Sequence, residues 1–458
     1  MKETKRIRAY MVDNFTEVAH TTLNPQGPGA VRIHLVPPKH EDGVLASSVV
    51  IINGQDIIPL NFSWAIVLNE FIKNVNEYHG KEILDEDAQS ILKATVKGVK
   101  KVFPFALKSM IKKDAVSMME TFCKVAYGED VAEEIDYVNI GEYAPFMRAP
   151  HRMDIMVSAM TKNGQWHCNQ KCVHCYAAGQ VNAEEQELST KEWKKILDKL
   201  REIGVPQVTF TGGEPTMRED LFELIDYAKW FVSRLNTNGI KLTKEYCAEL
   251  VNVQLDSLQI TFYSSNPEIH NKLVGVNQFE STVNGIVNAV EAGLSVSINT
   301  PLCTLNKDYV ETLKFLHEKG VTYVTCSGLI TTGNATLEDS EKLQLSKEEI
   351  KKILADATDY CYSNGMEINF TSPGWIEEEF FTEHSLSTPN CGACLSNMAI
   401  TPGGNVVPCQ SWLSDDVLGN FLNDDWDEIW NSGACEKRRD YSAQMLGTCP
   451  LRRVSHEE

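Results

Sequence analysis

The sequence predicts an α/β protein: a partial (β/α)6 barrel of the TIM type, preceded by a mixed α+β region and followed by a small loop-rich module. Three observations predict it. From residue 151 onward, short strand-like runs alternate six times with amphipathic helical stretches across short connections. Before that point the pattern is irregular, strands first and helices after. Beyond about residue 385 it gives way to loops carrying clustered cysteines. The implied domains are 1–150, 151–385 and 386–458, in keeping with the roughly three that 458 residues suggest.

In the first region the apolar runs RIHLV and SSVVIIN flank a polar Pro-Gly stretch and predict strands. From Phe62 to Tyr78 apolar residues recur at helical spacing (Trp64, Ile66, Val67, Phe71, Ile72, Val75), and further helices are expected near 84–103 and 106–126. The acidic segment GEDVAEEID then leads into a loop ending YAPFMRAPHR. The barrel begins with strand MDIMVSAM and a helix near 189–203. Strand PQVTFT and a helix near 218–231 follow, then strand FVSRLNT and a helix near 243–252. Strand LDSLQITFY precedes a helix near 278–292, strand LSVSINTPL a helix near 307–319, and VTYVTCSG completes the set. A helix near 346–364 and strand MEINFT lie behind it. Right-handed crossovers put every βα loop on one rim, where such folds carry their chemistry.

Composition narrows the function. The chain is 43% hydrophobic and 23% charged, ordinary for a globular protein with a sizeable core. A net charge of -20 argues against nucleic acid as the main partner, since phosphate-binding surfaces need clustered Lys and Arg. No apolar run reaches about 18 residues and no signal-peptide pattern opens the chain, so neither a membrane partner nor export is expected and a cytoplasmic location is. In that reducing compartment, 13 cysteines point to metal ligation or catalysis rather than disulfides.

Two cysteine groups stand out. CNQKCVHC spaces Cys168, Cys172 and Cys175 as C-x3-C-x2-C on the loop after the first barrel strand. Three thiolates so placed can hold three irons of a cubane and leave the fourth open; a zinc knuckle, with His174 as fourth ligand, is the alternative. The second barrel strand ends in TGGEP, where Gly212 and Gly213 admit close backbone approach to a ligand and Glu214 brings a carboxylate to the rim. The second group is Cys391 and Cys394 in CGAC, then Cys409 in PGGNVVPC and Cys449 in TCPLRR. MAITPGGNVVPC predicts a β-hairpin that brings Cys394 and Cys409 together. Four thiols can close a cluster or a zinc ribbon, with Cys435 in reserve as fourth ligand.

CNQKCVHCY followed by TGGEP resembles the radical S-adenosylmethionine superfamily, and the β/α repeats agree with that family's partial barrel. The resemblance implies that Cys168, Cys172 and Cys175 ligate a [4Fe–4S] cluster whose open iron chelates S-adenosylmethionine. It implies that Gly212, Gly213 and Glu214 hold the methionine ammonium and that Tyr176 lies near the adenine. Reductive cleavage then yields a 5′-deoxyadenosyl radical that abstracts a substrate hydrogen. Asn238, Thr261 and Asn299, at the ends of strands three, four and five, occupy positions where the family contacts the cofactor; polar strand caps are the alternative. Relatives often carry an HD-x-x-RG stretch whose Arg meets the cofactor carboxylate. Here it reads HNKLVG, with Val274 in place of Arg, so that role is open to Lys272 or another group.

The C-terminal cysteines, with LGNF and WDEIW between them, resemble the twitch or SPASM extension of peptide-modifying enzymes and imply one auxiliary iron–sulfur cluster. Cys303 and Cys326 lie near the ends of strands five and six, where a cysteine could return a hydrogen atom to a substrate radical; packing is the alternative. The first region resembles the leader-peptide-binding domain of peptide maturases, so a precursor peptide is the expected partner, with a flavodoxin or ferredoxin as reductant. A lid or oligomerisation role for that region, a small-molecule radical enzyme of cofactor or tetrapyrrole biosynthesis, and a non-catalytic iron–sulfur scaffold are the other readings.

Overall fold

The computed structural model describes residues 2–23, 30–37, 48–54, 56–78, 81, 83–127, 129, 131, 140–337, 342–414, 417–445 and 448–452. The Pro-Gly stretch at 38–47, most of the acidic segment at 128–136 and the chain beyond 452 lie outside these residues. The chain divides into two compact units: residues 1–151 with 198–206, and residues 152–197 with 207–458.

The first unit contains helix α1 (Lys2–Asn14), strands β1 (Ala19–Leu23), β2 (Val31–Val36), β3 (Ser48–Ile52) and β4 (Asp56–Leu60), and helices α2 (Phe62–Asn76), α3 (Asp85–Val102), α4 (Lys108–Ala126) and α5 (Ile140–Tyr143). The strands form an antiparallel sheet in sequence order, so β1 and β4 are its edges. All five β3 residues are buried, because the strand is covered on both faces. Val31, Ile33, Leu35, Val50 and Ile52 share a core with Ile66, Ile72, Val99, Met118 and Phe122. Asn61 starts α2 by accepting the Trp64 N–H. α1, β1 and β4 have weak or short apolar patterns and were not among the sequence expectations.

The second unit is built on strands β5 (Arg152–Ser158), β8 (Gln207–Gly212), β9 (Val232–Thr237), β10 (Ser257–Thr261), β11 (Val296–Pro301), β12 (Tyr323–Ser327) and β13 (Glu367–Phe370), all parallel. A small hairpin of β6 (Thr161–Lys162) and β7 (Gln165–Trp166) precedes the cysteine loop. The connecting helices are α6 (Thr190–Ile203), of which residues 198–203 count with the first unit, α7 (Leu221–Tyr227), α8 (Lys244–Asn252), α9 (Pro267–Val274), α10 (Phe279–Glu291), α11 (Tyr309–Glu318) and α12 (Lys347–Ser363). α13 (Glu378–Glu383), the hairpin β14 (Asn397–Ile400) and β15 (Asn405–Val407), β16 (Gly419–Asn420), α14 (Trp426–Trp430) and α15 (Gly433–Ala443) complete the chain. The sheet runs β13-β12-β11-β10-β9-β8-β5-β14-β15-β16 without closing, which makes it a partial barrel.

Three differences from the sequence pattern matter. β13 pairs parallel with β12, so the barrel sheet has a seventh strand beyond the six repeats. The helix expected near 218–231 starts at Leu221, because a 3-10 turn at Pro215–Met217 and the Arg218–Asp220 ion pair, 2.6 Å, occupy its first turn. α9 is an extra helix, started by Pro267 and by Asn266 accepting the Glu268 and Ile269 N–H groups. The predicted MAITPGGNVVPC hairpin forms, and β14 also pairs parallel with β5, Ile400 opposite Ile155.

Candidate functional site

The C-terminal ends of the barrel strands open on a cavity of about 430 Å³ lined by residues from β5 around to the end of β13 and by Gln410 and Ser411 beyond the hairpin. Cys168, Cys172, Cys175, Tyr176, Gly212, Gly213, Glu214, Asn238, Thr261 and Asn299 all line it. Residues spread over 132 positions of sequence therefore share one chamber, because parallel strands deliver every βα loop to the same end.

The cysteine loop is held by backbone contacts. Lys171 and Val173 donate their N–H groups to the carbonyls of Val274 and Leu273, at 2.9 and 3.0 Å. These are end carbonyls of α9, so the HNKLVG stretch cradles the loop. Val274 itself is fully buried beside Cys172 and Val173, and exposed Lys272 does not line the cavity. Gly275, at φ +70°, packs so closely that a Cβ would fall 2.3 Å from the Lys171 carbonyl. On the other side Asn334 N–H donates to the Cys175 carbonyl at 2.9 Å. The thiol of Cys168 reaches the Gly213 carbonyl at 3.4 Å.

Burial, with the Glu214 carboxylate as a second cause, pushes the Cys168 thiol up to about 12. Burial and then the neighbouring thiols raise Cys172, and burial raises Cys175. Three sulfurs thus face one chamber in an environment that resists negative charge, a deficit that a cationic iron centre offsets. Three thiols from one short loop border the chamber, and a cluster spreads such ligands over separate irons. The donor set fits a three-thiolate cluster.

The TGGEP turn is equally constrained. Gly212 has φ +135°, and a Cβ there would lie 2.2 Å from the Ser158 carbonyl. Glu214, 2% exposed, accepts from Thr216 N–H at 3.1 Å and from the Thr216 and Thr237 hydroxyls at 2.6 Å, all on Oε1. Its Oε2 accepts only from Asn238 N–H, 2.9 Å, among the described residues. One carboxylate therefore fixes the ends of β8 and β9 and keeps an oxygen with spare capacity. Asn238 Nδ2 donates to Asn169 in the cysteine loop at 2.6 Å, and Asn299 Oδ1 accepts from the Thr325 hydroxyl at 3.0 Å.

Cys303 and Cys326, expected as possible hydrogen-atom donors, are placed off the cavity. Cys326 is one residue out of phase with cavity-lining Ser327, so strand alternation turns it to the outer face, where the Cys361 thiol of α12 is near enough to raise its pKa. Cys303 is fully buried in an apolar cluster with Leu273, Val274 and Leu329.

The second cysteine group assembles around the hairpin. Cys394 N–H donates to the Pro408 carbonyl at 3.2 Å, next to Cys409, and the turn between them is fixed by Glu185, which accepts from Gly403 N–H at 3.0 Å and Asn405 Nδ2 at 2.6 Å. Burial pushes Cys409 up to about 12, helped by the thiols of Cys449 and Cys391. Cys394 and Cys435 are near enough that each acts on the other's thiol, raising Cys394 and lowering Cys435, and Arg439 Nη1, 3.6 Å from the Cys435 sulfur, also favours that thiolate. Five thiols are therefore gathered, the reserve Cys435 included.

Several lining residues had no sequence signal. Tyr263 OH lies 3.1 Å from His174 Nε2 and is near enough to Cys172 to lower its thiol pKa against the rise from burial. Arg152, Asp154, Thr209, Arg234, Asn236 and Gln259 line the chamber further along the strands, and Gln410 and Ser411 reach it from beside Cys409. Inward and outward residues alternate along a strand, so Arg234 could have been found by asking why FVSRLNT carries a charge.

A partial parallel barrel with a three-thiol loop and a Gly-Gly-Glu rim defines a class of cluster-dependent radical enzymes. The Radical SAM superfamily model matches residues 167–316, and the iron–sulfur cluster-binding SPASM domain model matches residues 391–451. An AdoMet-dependent heme synthase of Oleidesulfovibrio alaskensis is 30% identical over 300 residues, covering 62% of this chain and 76% of the relative. Mycofactocin maturase MftC of Mycolicibacterium smegmatis is 27% identical over 296 residues, covering 62% and 72%. Streptococcus suis SuiB bound to precursor peptide SuiA shares the fold with TM-score 0.59 at 16% identity, over 88% of this chain and 92% of SuiB. The chain belongs to the radical SAM superfamily and carries a SPASM domain. Its cofactors are a [4Fe–4S] cluster with S-adenosylmethionine and an auxiliary iron–sulfur cluster.

Proposed function

We propose that the chain is a cytoplasmic peptide maturase that uses S-adenosylmethionine to modify a ribosomally made precursor. One observation carries this reading: the likeness to SuiB bound to its precursor peptide covers more of the chain than the second unit contains, and so reaches the first unit, whose antiparallel sheet has β1 and β4 as its edge strands. A sheet edge offers backbone donors and acceptors to which an extended leader adds as a further strand.

In this reading Cys168, Cys172 and Cys175 hold the cluster, and Cys391, Cys394, Cys409 and Cys449 hold the auxiliary one. The bound cofactor supplies a 5′-deoxyadenosyl radical that removes a hydrogen atom from the substrate. The chain orients it. The Gly212 and Gly213 backbone and the spare oxygen of Glu214 face the methionine ammonium, Tyr176 flanks the adenine, and Asn238, Thr261 and Asn299 offer polar contacts from neighbouring strand ends.

The test is anaerobic reconstitution, then reduction with flavodoxin or ferredoxin in the presence of S-adenosylmethionine and precursor peptides encoded beside the gene. The expected result is 5′-deoxyadenosine together with a mass change in one peptide. 5′-Deoxyadenosine without any modified peptide, but with turnover of a porphyrin, would establish the small-molecule reading that the heme synthase relative favours.

A further inference from the structure

The inside of the barrel is polar where such barrels are usually filled with Val, Ile and Leu. Asp154, Thr209 and Arg234 sit in register on β5, β8 and β9 and all line the cavity, with Asn236 opposite Gln259 beyond them. Asp154, 1% exposed, is engaged by Arg152, whose Nε lies 3.0 Å from Oδ1 and Nη2 3.4 Å from Oδ2. Arg234 has no such direct partner: among the described residues its side chain makes no hydrogen bond or ion pair, its buried Nε has no acceptor, and Asp154 and Tyr323 act on it only from a distance. The Thr209 hydroxyl is also buried without a partner.

Two guanidiniums and one carboxylate leave this part of the chamber with a net positive charge, inside a chain whose overall charge is -20. Burial, and then the charge of Arg152, disfavour the Arg234 cation more than Tyr323 and Asp154 favour it, yet a guanidinium stays protonated in proteins. A buried cation with unused donors is costly unless something pairs with it. Arg234 is three residues before Thr237, about 10 Å back along the strand from the rim that carries Glu214 and Asn238. It is therefore remote from the groups assigned to the methionine, in the part of the chamber that they leave free.

We propose that Arg234, flanked by Arg152 and the Thr209 hydroxyl, forms an anion subsite that takes a carboxylate of the substrate. This rests on reading the chamber as the substrate site of a radical SAM enzyme, and it deepens that reading by naming the substrate's chemistry. The fork of Arg234 donates to the carboxylate oxygens, Thr209 adds an O–H donor, and Asp154 holds Arg152 in place. The carboxylate can belong to a peptide or to a small-molecule acid.

The test is arginine labelling of the full-length, anaerobically reconstituted protein by phenylglyoxal, read at Arg234 by peptide mass spectrometry. Succinate and N-acetyl-dipeptides with a free C-terminus are compared with succinamide and the corresponding dipeptide amides. The expected result is that Arg234 labels in the unliganded protein and that an acid, but not its amide, slows labelling about tenfold. Protection by the dipeptide acid identifies a peptide source; protection by succinate alone keeps the subsite and removes the peptide reading. No labelling of Arg234, no protection by any acid, or equal protection by acid and amide would overturn the subsite. 5′-Deoxyadenosine formation in the same preparation tests the radical reading separately.

Discussion

Glu214 shows how much one buried side chain can organise. Its four hydrogen bonds connect the ends of β8 and β9, and although burial raises its pKa the four donors act to stabilise the carboxylate. Glu214→Gln presents an amide N–H₂ to groups that themselves donate, so a loss of about 1–3 kcal/mol in denaturant unfolding is expected, with weaker S-adenosylmethionine binding. His270 carries a pH dependence. It is fully buried between Phe262 and Phe279, its Nδ1 accepts the Tyr263 N–H, and burial pushes it down to about 4 from an ordinary 6.5. A lowered pKa gives stability that is present above pH 6.5 and lost as pH falls toward 4. At pH 5 His270 should account for about 2 kcal/mol of lost stability relative to pH 7. Unfolding curves of the wild type and His270→Gln at both pH values check this; an equal loss in both proteins would contradict it.

The elements that matter most are those that grip the cysteine loop. α9 does so through its last carbonyls, and Gly275 at its C-terminus has the left-handed backbone and close approach that exclude a side chain. Gly275→Ala is expected to cost about 1 kcal/mol from backbone strain, and more as the Lys171 carbonyl is displaced, with a lowered iron content after reconstitution. Ser346→Ala is the matched control. It removes the capping box of α12, in which Ser346 and Glu349 satisfy each other's backbone N–H groups. It should cost about 1 kcal/mol and leave the iron content unchanged.

For the whole molecule, pairing of β14 with β5 couples the two cysteine groups within the second unit. Met156 and Met160 share one core with Ala399, Val407 and Leu413, and Cys168 and Cys175 pack against it. Ile400 is fully buried opposite Ile155, so Ile400→Ala should cost about 2–5 kcal/mol and reduce retention of both clusters together, read by iron count and thermal unfolding. The fourth auxiliary ligand is tested at the same scale. Cys449 is near enough to affect Cys409, and α15 brings Cys435 to Cys394. Cys449→Ser is expected to remove the auxiliary iron, about four atoms for a cubane, and Cys435→Ser to retain it; the reverse would make Cys435 the ligand.

The sequence alone determined the β/α alternation, the three-thiol spacing of Cys168, Cys172 and Cys175, the Gly-Gly-Glu turn and the hairpin at Cys394 and Cys409. These are local features: strand periodicity, turn chemistry and ligand spacing are written into neighbouring residues. The tertiary structure decided what depends on residues far apart in the chain. It put Cys326 on the outer face and Arg234 on the inner one, brought Tyr263 to Cys172, joined β14 to β5 and gave Val274 a backbone role in place of a side-chain one. The reason is physical. A strand's period separates two faces without saying which is inside, and only packing of the whole sheet against its helices makes that choice.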